Sequence, residues 1–254
     1  MRALAAGEIE ATEPDREEPA VCSTCRGAGF LRRDVPRGHP DFGRAFPCDC
    51  RAPELARQRL ERVFGAADVP PRLAALSFAT FALQPGADLT ALTRVEAWAQ
   101  EDSRASLYLY GDVGRMKTGL AYAAFRQRLE AQLCDGLFRT STALLDAIRA
   151  TFDHAEGAPR TSEVLAAAAR APLLLLDDLG AEKPSSWAVE RLEALIDERY
   201  RDELPTIVTS NYDLAALGQR LSLRISSRLT DMCERGRWVV RVAGRDQRMP
   251  LGAG

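Results

Sequence analysis

The sequence predicts an α/β fold: a five-stranded parallel sheet between helices, preceded by a small module built around four cysteines. Three features carry that prediction. Residues 106–110 (SLYLY) are apolar, are followed by the glycine-bearing segment 111–118 (GDVGRMKT), and lead into the helix-forming stretch 119–125, which makes a strand, turn and helix in succession. A second apolar run, residues 173–176 (LLLL), ends in the paired acids Asp177 and Asp178. Four of the six cysteines form two close pairs, Cys22 with Cys25 and Cys48 with Cys50.

Composition bounds what surrounds these features. The chain has 254 residues, 46% hydrophobic and 28% charged, which suits one globular domain of roughly 180 to 200 residues and an appendage. No apolar run is long enough to span a bilayer, and the N-terminus turns acidic before any signal-peptide core develops, so a cytoplasmic protein is expected. A net charge of -2 argues against a surface that grips nucleic acid everywhere.

Charge is unevenly distributed. Residues 1–20 carry Glu8, Glu10, Glu13, Asp15, Glu17 and Glu18 against Arg2 and Arg16, and read as a solvated, disordered acidic tail. Between Arg220 and Arg248, eight arginines oppose only Asp231, Glu234 and Asp246. Either a solvated face or an anion-facing edge accounts for that excess.

The cysteine module comes next in the chain. Cys22, Cys25, Cys48 and Cys50 flank 22 residues rich in Gly, Pro and Arg, a loop too short and polar for a core of its own. Two close thiol pairs closing such a loop are the arrangement of a tetrahedral Zn2+ site, in which the metal replaces the missing core. In the cytoplasm disulfides are disfavoured. His39 could replace one thiol, but a lone histidine in a Pro/Gly loop reads more readily as an exposed residue, and Cys134 and Cys233 read as structural thiols. An Arg-rich helix over residues 54–64 is expected to connect the module to the rest.

From residue 106 onward strands and helices alternate: strands at 106–110, 137–141, 172–176, 206–209 and 238–242, and helices after the glycine loop and at 143–149, 162–170 and 185–200. Such alternation implies a parallel sheet covered on both faces. A glycine-bearing turn between a strand and a helix that opens on Lys-Thr is where backbone N–H groups and a helix N-terminus cradle phosphate. The phosphate-loop pattern is met at Gly111, Lys117 and Thr118, with Gly114 inside the loop; its second glycine position is occupied by Met116, whose side chain is expected to obstruct the phosphates and weaken binding. Only two lysines occur in the chain, Lys117 and Lys183, so arginine supplies generic positive charge and a lysine kept in the loop has a specific use.

An apolar strand that ends in two acids puts carboxylates at the carboxyl edge of the sheet, where α/β folds bind ligands. Asp177 is then the candidate for holding Mg2+ and Asp178 for orienting or deprotonating an attacking water. Asn211, at the tip of the following strand, is placed to position that water, although Ser210-Asn211 also suits a helix cap. Arg224 and Arg228, four apart on one helical face, are either solvated, salt-bridged, or able to reach a neighbouring subunit's γ-phosphate.

Taken in order, these motifs resemble the AAA+ ATPases of the DnaC/DnaI and IstB type, the bacterial and phage helicase loaders and transposition helpers. The resemblance rests on Cys-x-x-Cys-x-Gly-x-Gly and Pro-Cys-x-Cys, residues 77–81 (SFATF), the loop 111–118, residues 174–183 (LLLDDLGAEK), 205–211 (PTIVTSN) and 224–228 (RISSR). It implies an acidic tail at 1–20, a zinc module with connecting helix at 21–65 and an AAA+ ATPase domain at 66–254. It also implies ATP, Mg2+ and Zn2+ as cofactors, Lys117 and Thr118 as Walker A residues, Asp177 and Asp178 as Walker B, Asn211 as sensor I, and Arg228 or Arg224 as an arginine finger acting in trans through self-association.

The partners so implied are a DnaB-type replicative helicase and single-stranded DNA. Two other readings keep the same fold: a transposition helper that binds duplex DNA, and a nucleotide-silent adaptor in which Met116 reports a lost site. Hydrolysis of ATP separates the adaptor from the others, and helicase binding separates loader from transposition helper.

Overall fold

The computed structural model describes residues 22–39, 42–55, 57–58, 73, 76–84, 86–132, 134–150, 161–244 and 246. The expected tail 1–20, most of the expected connecting helix 54–64, and Arg245 and Arg248 lie outside the described residues. The chain divides into two compact units, Met1–Leu55 and Ala56–Gly254. The expected boundary at residue 65 falls among residues outside the described set.

The first unit is a hairpin held by cysteine-bearing turns. Strands β1 (Phe30–Arg32) and β2 (Ala45–Pro47) pair antiparallel with Leu31 opposite Phe46, and a single 3-10 turn follows at Asp49–Arg51. The Gly29 carbonyl accepts from Cys48 N at 2.9 Å, which fastens one cysteine turn to the other. Few apolar side chains are buried here: Phe30, Leu31 and Phe42 are exposed, while Cys25 and Cys48 are buried.

The second unit contains helices α1 (Phe78–Ala82) and α2 (Leu89–Gln100), strand β3 (Leu107–Tyr110), helix α3 (Lys117–Gln132), strand β4 (Gly136–Thr140), helices α4 (Ser141–Ala150) and α5 (Thr161–Arg170), and strand β5 (Leu173–Asp177). It continues with α6 (Ser186–Arg201), β6 (Thr206–Ser210), α7 (Leu214–Arg220), α8 (Leu223–Met232) and β7 (Val239–Arg241). The five core strands run parallel in the order β4-β5-β6-β3-β7, as the alternation of strands and helices predicts. Helix starts carry their own signals: Ser77, Asp88, Ser185 and Asp213 each accept a backbone N–H of the first turn they precede.

Register places Phe138, Leu175, Ile207 and Leu107 in one row across four strands. Every residue of β5 and β6 is buried, as central strands with helices on both faces must be: β5 is an apolar run up to Asp177, while the buried Thr206, Thr209 and Ser210 of β6 are each hydrogen-bonded. Each such Leu or Ile contributes roughly 1.5–3 kcal/mol by leaving water. Helix α3 is also buried through Tyr122, Ala123, Ala124 and Phe125, and its small residues let it lie close on the sheet.

Among the described residues, Arg128 and Arg199 are fully buried. Arg128 stacks 3.8 Å from the Trp98 ring and donates to the Trp98, Glu101 and Ser103 carbonyls at 2.7–2.9 Å, closing the C-terminus of α2. Arg199 donates to Ala168, Ala169 and Ala171 carbonyls at 2.8–3.1 Å, to Pro205 O at 2.7 Å and to Thr206 Oγ1 at 2.7 Å, joining the end of α5 to the start of β6. Helix C-termini present orphan carbonyls at the negative end of the dipole, and a guanidinium with five donors satisfies several at once. Burial lowers the Arg199 pKa to about 10, so it stays charged at neutral pH.

Candidate functional site

The glycine loop leaves the carboxyl end of β3 and opens α3, so the predicted strand, turn and helix is formed. Gly111 has φ +148 and packs where any Cβ would strike the Val242 carbonyl, because the chain leaving β7 donates Val242 N to Tyr110 O at 2.7 Å. Gly114 has φ +82. Met116 adopts φ +60, the left-handed conformation that the usual glycine would supply without strain, at a cost of about 1–2 kcal/mol. Its carbonyl accepts the first helical bond, from Leu120 N at 3.0 Å.

The expected obstruction by Met116 needs correction. Its side chain is partly buried against the hydrophobic core, and its Cε lies 3.9 Å from where a Cβ of Gly119 would stand, beside Leu76. The thioether therefore runs back along the helix over the gap that Gly119 leaves. Methionine keeps the glycine-like backbone and removes its side chain to the core.

Lys117 is buried at the base of the loop. Its Nζ donates to Asp112 O at 2.8 Å and to Asn211 Oδ1 at 2.7 Å, and Asn211 Nδ2 in turn donates to Asp178 Oδ1 at 3.2 Å. Thr209 Oγ1 donates to Asp177 Oδ1 at 2.6 Å and accepts from Asp178 N at 2.9 Å. Burial pushes the Asp177 carboxyl above the ordinary aspartate value, and the hydroxyls of Thr209 and Thr118 pull it back. Asp178 has φ +58, a strained backbone at the second acid.

The sheet order explains this convergence. With β6 between β3 and β5, the tips of three neighbouring strands bring Lys117, Asn211 and the two acids together. Lys117, Asp177, Asp178 and Asn211, inferred separately from the sequence, are thus joined through Thr209 into one hydrogen-bonded cluster, and Thr118 follows Lys117 at the start of α3. The pair Thr118 and Asp177, a hydroxyl near enough to lower the carboxyl's pKa, offers the oxygen ligands that Mg2+ takes.

Arg224 and Arg228 are not part of the cluster. Both pair with Asp197 of α6, Arg228 Nε at 3.3 Å, and the Arg228 guanidinium lies 4.4 Å from the Tyr200 ring centroid. Other arginines of the expected anion-facing edge are engaged internally too: Arg220 with the Gly180 and Glu182 carbonyls, Arg237 with Glu101 and Glu234. Sequence reasoning missed Thr209, Ser141, Glu182 and Arg220 as neighbours of the acids. Only Thr209 carried a signal, as the residue at a strand tip beside Asn211.

In the first unit the sulfur atoms of Cys22, Cys25, Cys48 and Cys50 all lie within 4.8 Å of one another, with Cys22 to Cys48 at 3.9 Å and Cys25 to Cys50 at 3.5 Å. Four sulfurs at about 2.3 Å from a tetrahedral Zn2+ stand about 3.8 Å apart, so the cluster is compatible with that ion. Gly29 N donates to Cys25 Sγ at 3.2 Å; the N–H groups of Cys25 and Thr24 lower the Cys22 thiol to about 6, while the neighbouring thiol of Cys25, with burial, pushes Cys50 up to about 12, so without a cation the four cannot all be thiolates at neutral pH. Thiolate at neutral pH is the form a metal needs. His39 is exposed and absent from the cluster.

The model of the IstB-like ATP binding protein family matches residues 52–243. No curated protein matches the chain. Among solved structures, a DnaC helicase loader is 25% identical with a TM-score of 0.59, covering 68% of this chain and 100% of that one. A DnaI structure is 22% identical with a TM-score of 0.55, over 71% of this chain and 94% of that one. A replication initiator DnaA bound to AMPPCP and single-stranded DNA is 20% identical with a TM-score of 0.54, over 68% and 50%. The last two likenesses are of fold alone.

Proposed function

Because the chain belongs to the IstB-like ATP-binding proteins, AAA+ ATPases of the DnaC/IstB type, we propose that it binds Mg-ATP at the Lys117 cluster, hydrolyses it, and acts as a loader of a hexameric replicative helicase. The observation that carries the catalytic part is the chain of contacts from Lys117 through Asn211 to Asp178, beside Asp177 and Thr209. In this reading the loop N–H groups and Lys117 take the phosphates, with the ammonium exchanging two protein oxygens for phosphate oxygens. Mg2+ held by Thr118 and Asp177 supplies neutralisation of phosphate charge. Asn211 holds the lytic water, and Asp178 accepts its proton as the oxygen attacks the γ-phosphorus and the bond to the β-phosphate oxygen breaks. Arg228, with Arg224 second, leaves Asp197 to stabilise charge on a neighbouring subunit's nucleotide.

Two observations support a loader: the likeness to DnaC over that protein's entire chain, and a four-thiol module ahead of the ATPase core. The module, with Phe30, Leu31 and Phe42 exposed, would dock on the helicase, and single-stranded DNA would be a weaker, salt-sensitive ligand of the core. The match to the IstB-like family model favours a second reading, a transposition helper that binds duplex DNA.

Co-purification of the full chain with the replicative helicase from the same source, with ATP turnover measured with and without single-stranded DNA, tests the proposal. Capture of the helicase that is lost in a Cys22→Ser, Cys25→Ser chain supports the loader. No capture, with equal affinity for duplex and single strand, supports the transposition helper. No nucleotide binding at all leaves the adaptor reading.

A further inference from the structure

We infer that Glu182 and Arg220 are positioning residues for Asp178, clamping the loop 178–182 so that its first carboxylate stays aimed at Asn211; this rests on the hydrolytic reading above. The left-handed backbone of Asp178 is strained and persists only if its surroundings over-determine it. They do so at each step. Asp178 N donates to Thr209 Oγ1 at 2.9 Å, and its carbonyl accepts from Ser141 Oγ at 3.0 Å and Ala181 N at 3.1 Å. Leu179 N donates to Thr209 O at 2.8 Å, and its carbonyl accepts from Ser210 Oγ at 2.6 Å.

The far half of the loop depends on the two charged residues. Gly180 N donates to the Glu182 carboxylate, 3.1 Å from either oxygen, while the Gly180 carbonyl accepts from Arg220 Nε at 2.5 Å. Arg220 Nη2 also donates to Glu182 O at 3.1 Å, and its guanidinium stands 5.0 Å from the ring centroid of Tyr212, the residue after Asn211. Glu182 is 5% exposed and its second partner is Ser141 Oγ at 2.6 Å, on the first turn of α4. At Gly180, φ is +94 and a Cβ would stand 3.0 Å from the Tyr212 ring, so the loop closes on this ring.

One acid and one base thus hold opposite ends of the same glycine, from inside and above the loop. A turn that only had to end a strand has no need of a buried carboxylate, which is costly to desolvate and must be fully hydrogen-bonded. Here the carboxylate ties the start of α4 to the loop after β5, and Arg220, at the end of α7, holds the same loop by its backbone carbonyls, next to the residue that faces the attacking water. Movement of Gly180 would rotate Asp178 away from Asn211 without touching the phosphate loop. The nucleotide-binding groups, Lys117, Thr118 and Asp177, are outside this clamp.

The test uses Glu182→Gln and Arg220→Lys in the full chain. ATP turnover is measured beside calorimetric binding of a non-hydrolysable ATP analogue with Mg2+, and thermal melting reports folding. Each variant is expected to lose at least tenfold in kcat while the analogue Kd stays within twofold of wild type. The double variant should lose no more than about twice the stronger single one, because both act through one loop. Arg220→Lys decides the matter should Glu182→Gln fail to fold, since Arg220 is half-buried and a lysine retains the charge without the fork. A kcat within twofold of wild type in a folded variant overturns the inference, as does a parallel loss of affinity and kcat. Absence of turnover in the wild type overturns the hydrolytic reading, and this inference with it, and is told apart by appearing before any substitution.

Discussion

Asp177 and Met116 each occupy a position whose chemistry depends on a neighbour. For Asp177, burial raises the folded pKa above the ordinary 3.8, so its ionisation is disfavoured in the fold: the stability it contributes is present below that value and is lost as pH rises through the raised one. Mg2+ needs the carboxylate, so Mg-nucleotide affinity should fall on acidification at a pH above 3.8. Thr209→Val deletes a hydroxyl that lowers this pKa and should shift the acid limb to higher pH. A titration of Mg-dependent analogue binding checks it; an unmoved limb would assign the pH response to another group. Met116→Gly removes the left-handed strain and the packing beside Gly119 together. We expect ATP-analogue affinity within about threefold of wild type by calorimetry, less than 0.7 kcal/mol, and a tenfold tightening would restore methionine as an obstacle.

Elements are joined by groups that the hydrophobic pattern does not reveal. Arg199 holds carbonyls at the end of α5 and the start of β6, and Arg199→Met would leave those acceptors buried and unpaired. A loss on the order of 3 kcal/mol or more is expected, read as a lower denaturation midpoint with an unchanged slope; Arg199→Lys should recover only part, since one ammonium cannot reproduce the fork. In the hairpin unit, the clustered thiols and the few buried apolar side chains among the described residues are compatible with a metal as the source of order. Native mass spectrometry should find one Zn2+ per chain, lost in Cys22→Ser with Cys25→Ser and on chelation. A metal-free hairpin that resists protease would refute this.

For the whole molecule, the pairing of Arg224 and Arg228 with Asp197 means that a role across a subunit contact requires exchange of one partner for another. If Arg228 serves a neighbour, mixing Arg228→Ala chains with Asp178→Ala chains should recover part of the ATP turnover absent from either alone, because some contacts then combine an intact finger with intact acids. An arginine finger is worth several powers of ten in rate, so even partial recovery is measurable. Strict additivity of the two inactive preparations at every ratio would confine the site to one chain.

Much of this was legible along the chain. The alternation of strands and helices, the phosphate loop, the acids after an apolar strand and the paired cysteines are local patterns: each needs only a few consecutive residues to impose a backbone period, a turn or a metal spacing. The apolar run of β5 announced a buried strand for the same reason. What sequence could not supply was the neighbourhood of residues far apart in the chain. Lys117 meets Asn211, and Asn211 meets Asp178, only because β6 inserts between β3 and β5, and a strand order is chosen by how several helices pack on both faces at once. Nothing local marks Arg128 and Arg199 as buried; helix ends closing over them decide it. Met116 looked like an obstacle until Gly119, three residues on, gave its side chain another place to go. Glu182 and Arg220 came to hold the loop that follows the acids through α4 and α7, elements whose placement no short stretch of residues encodes.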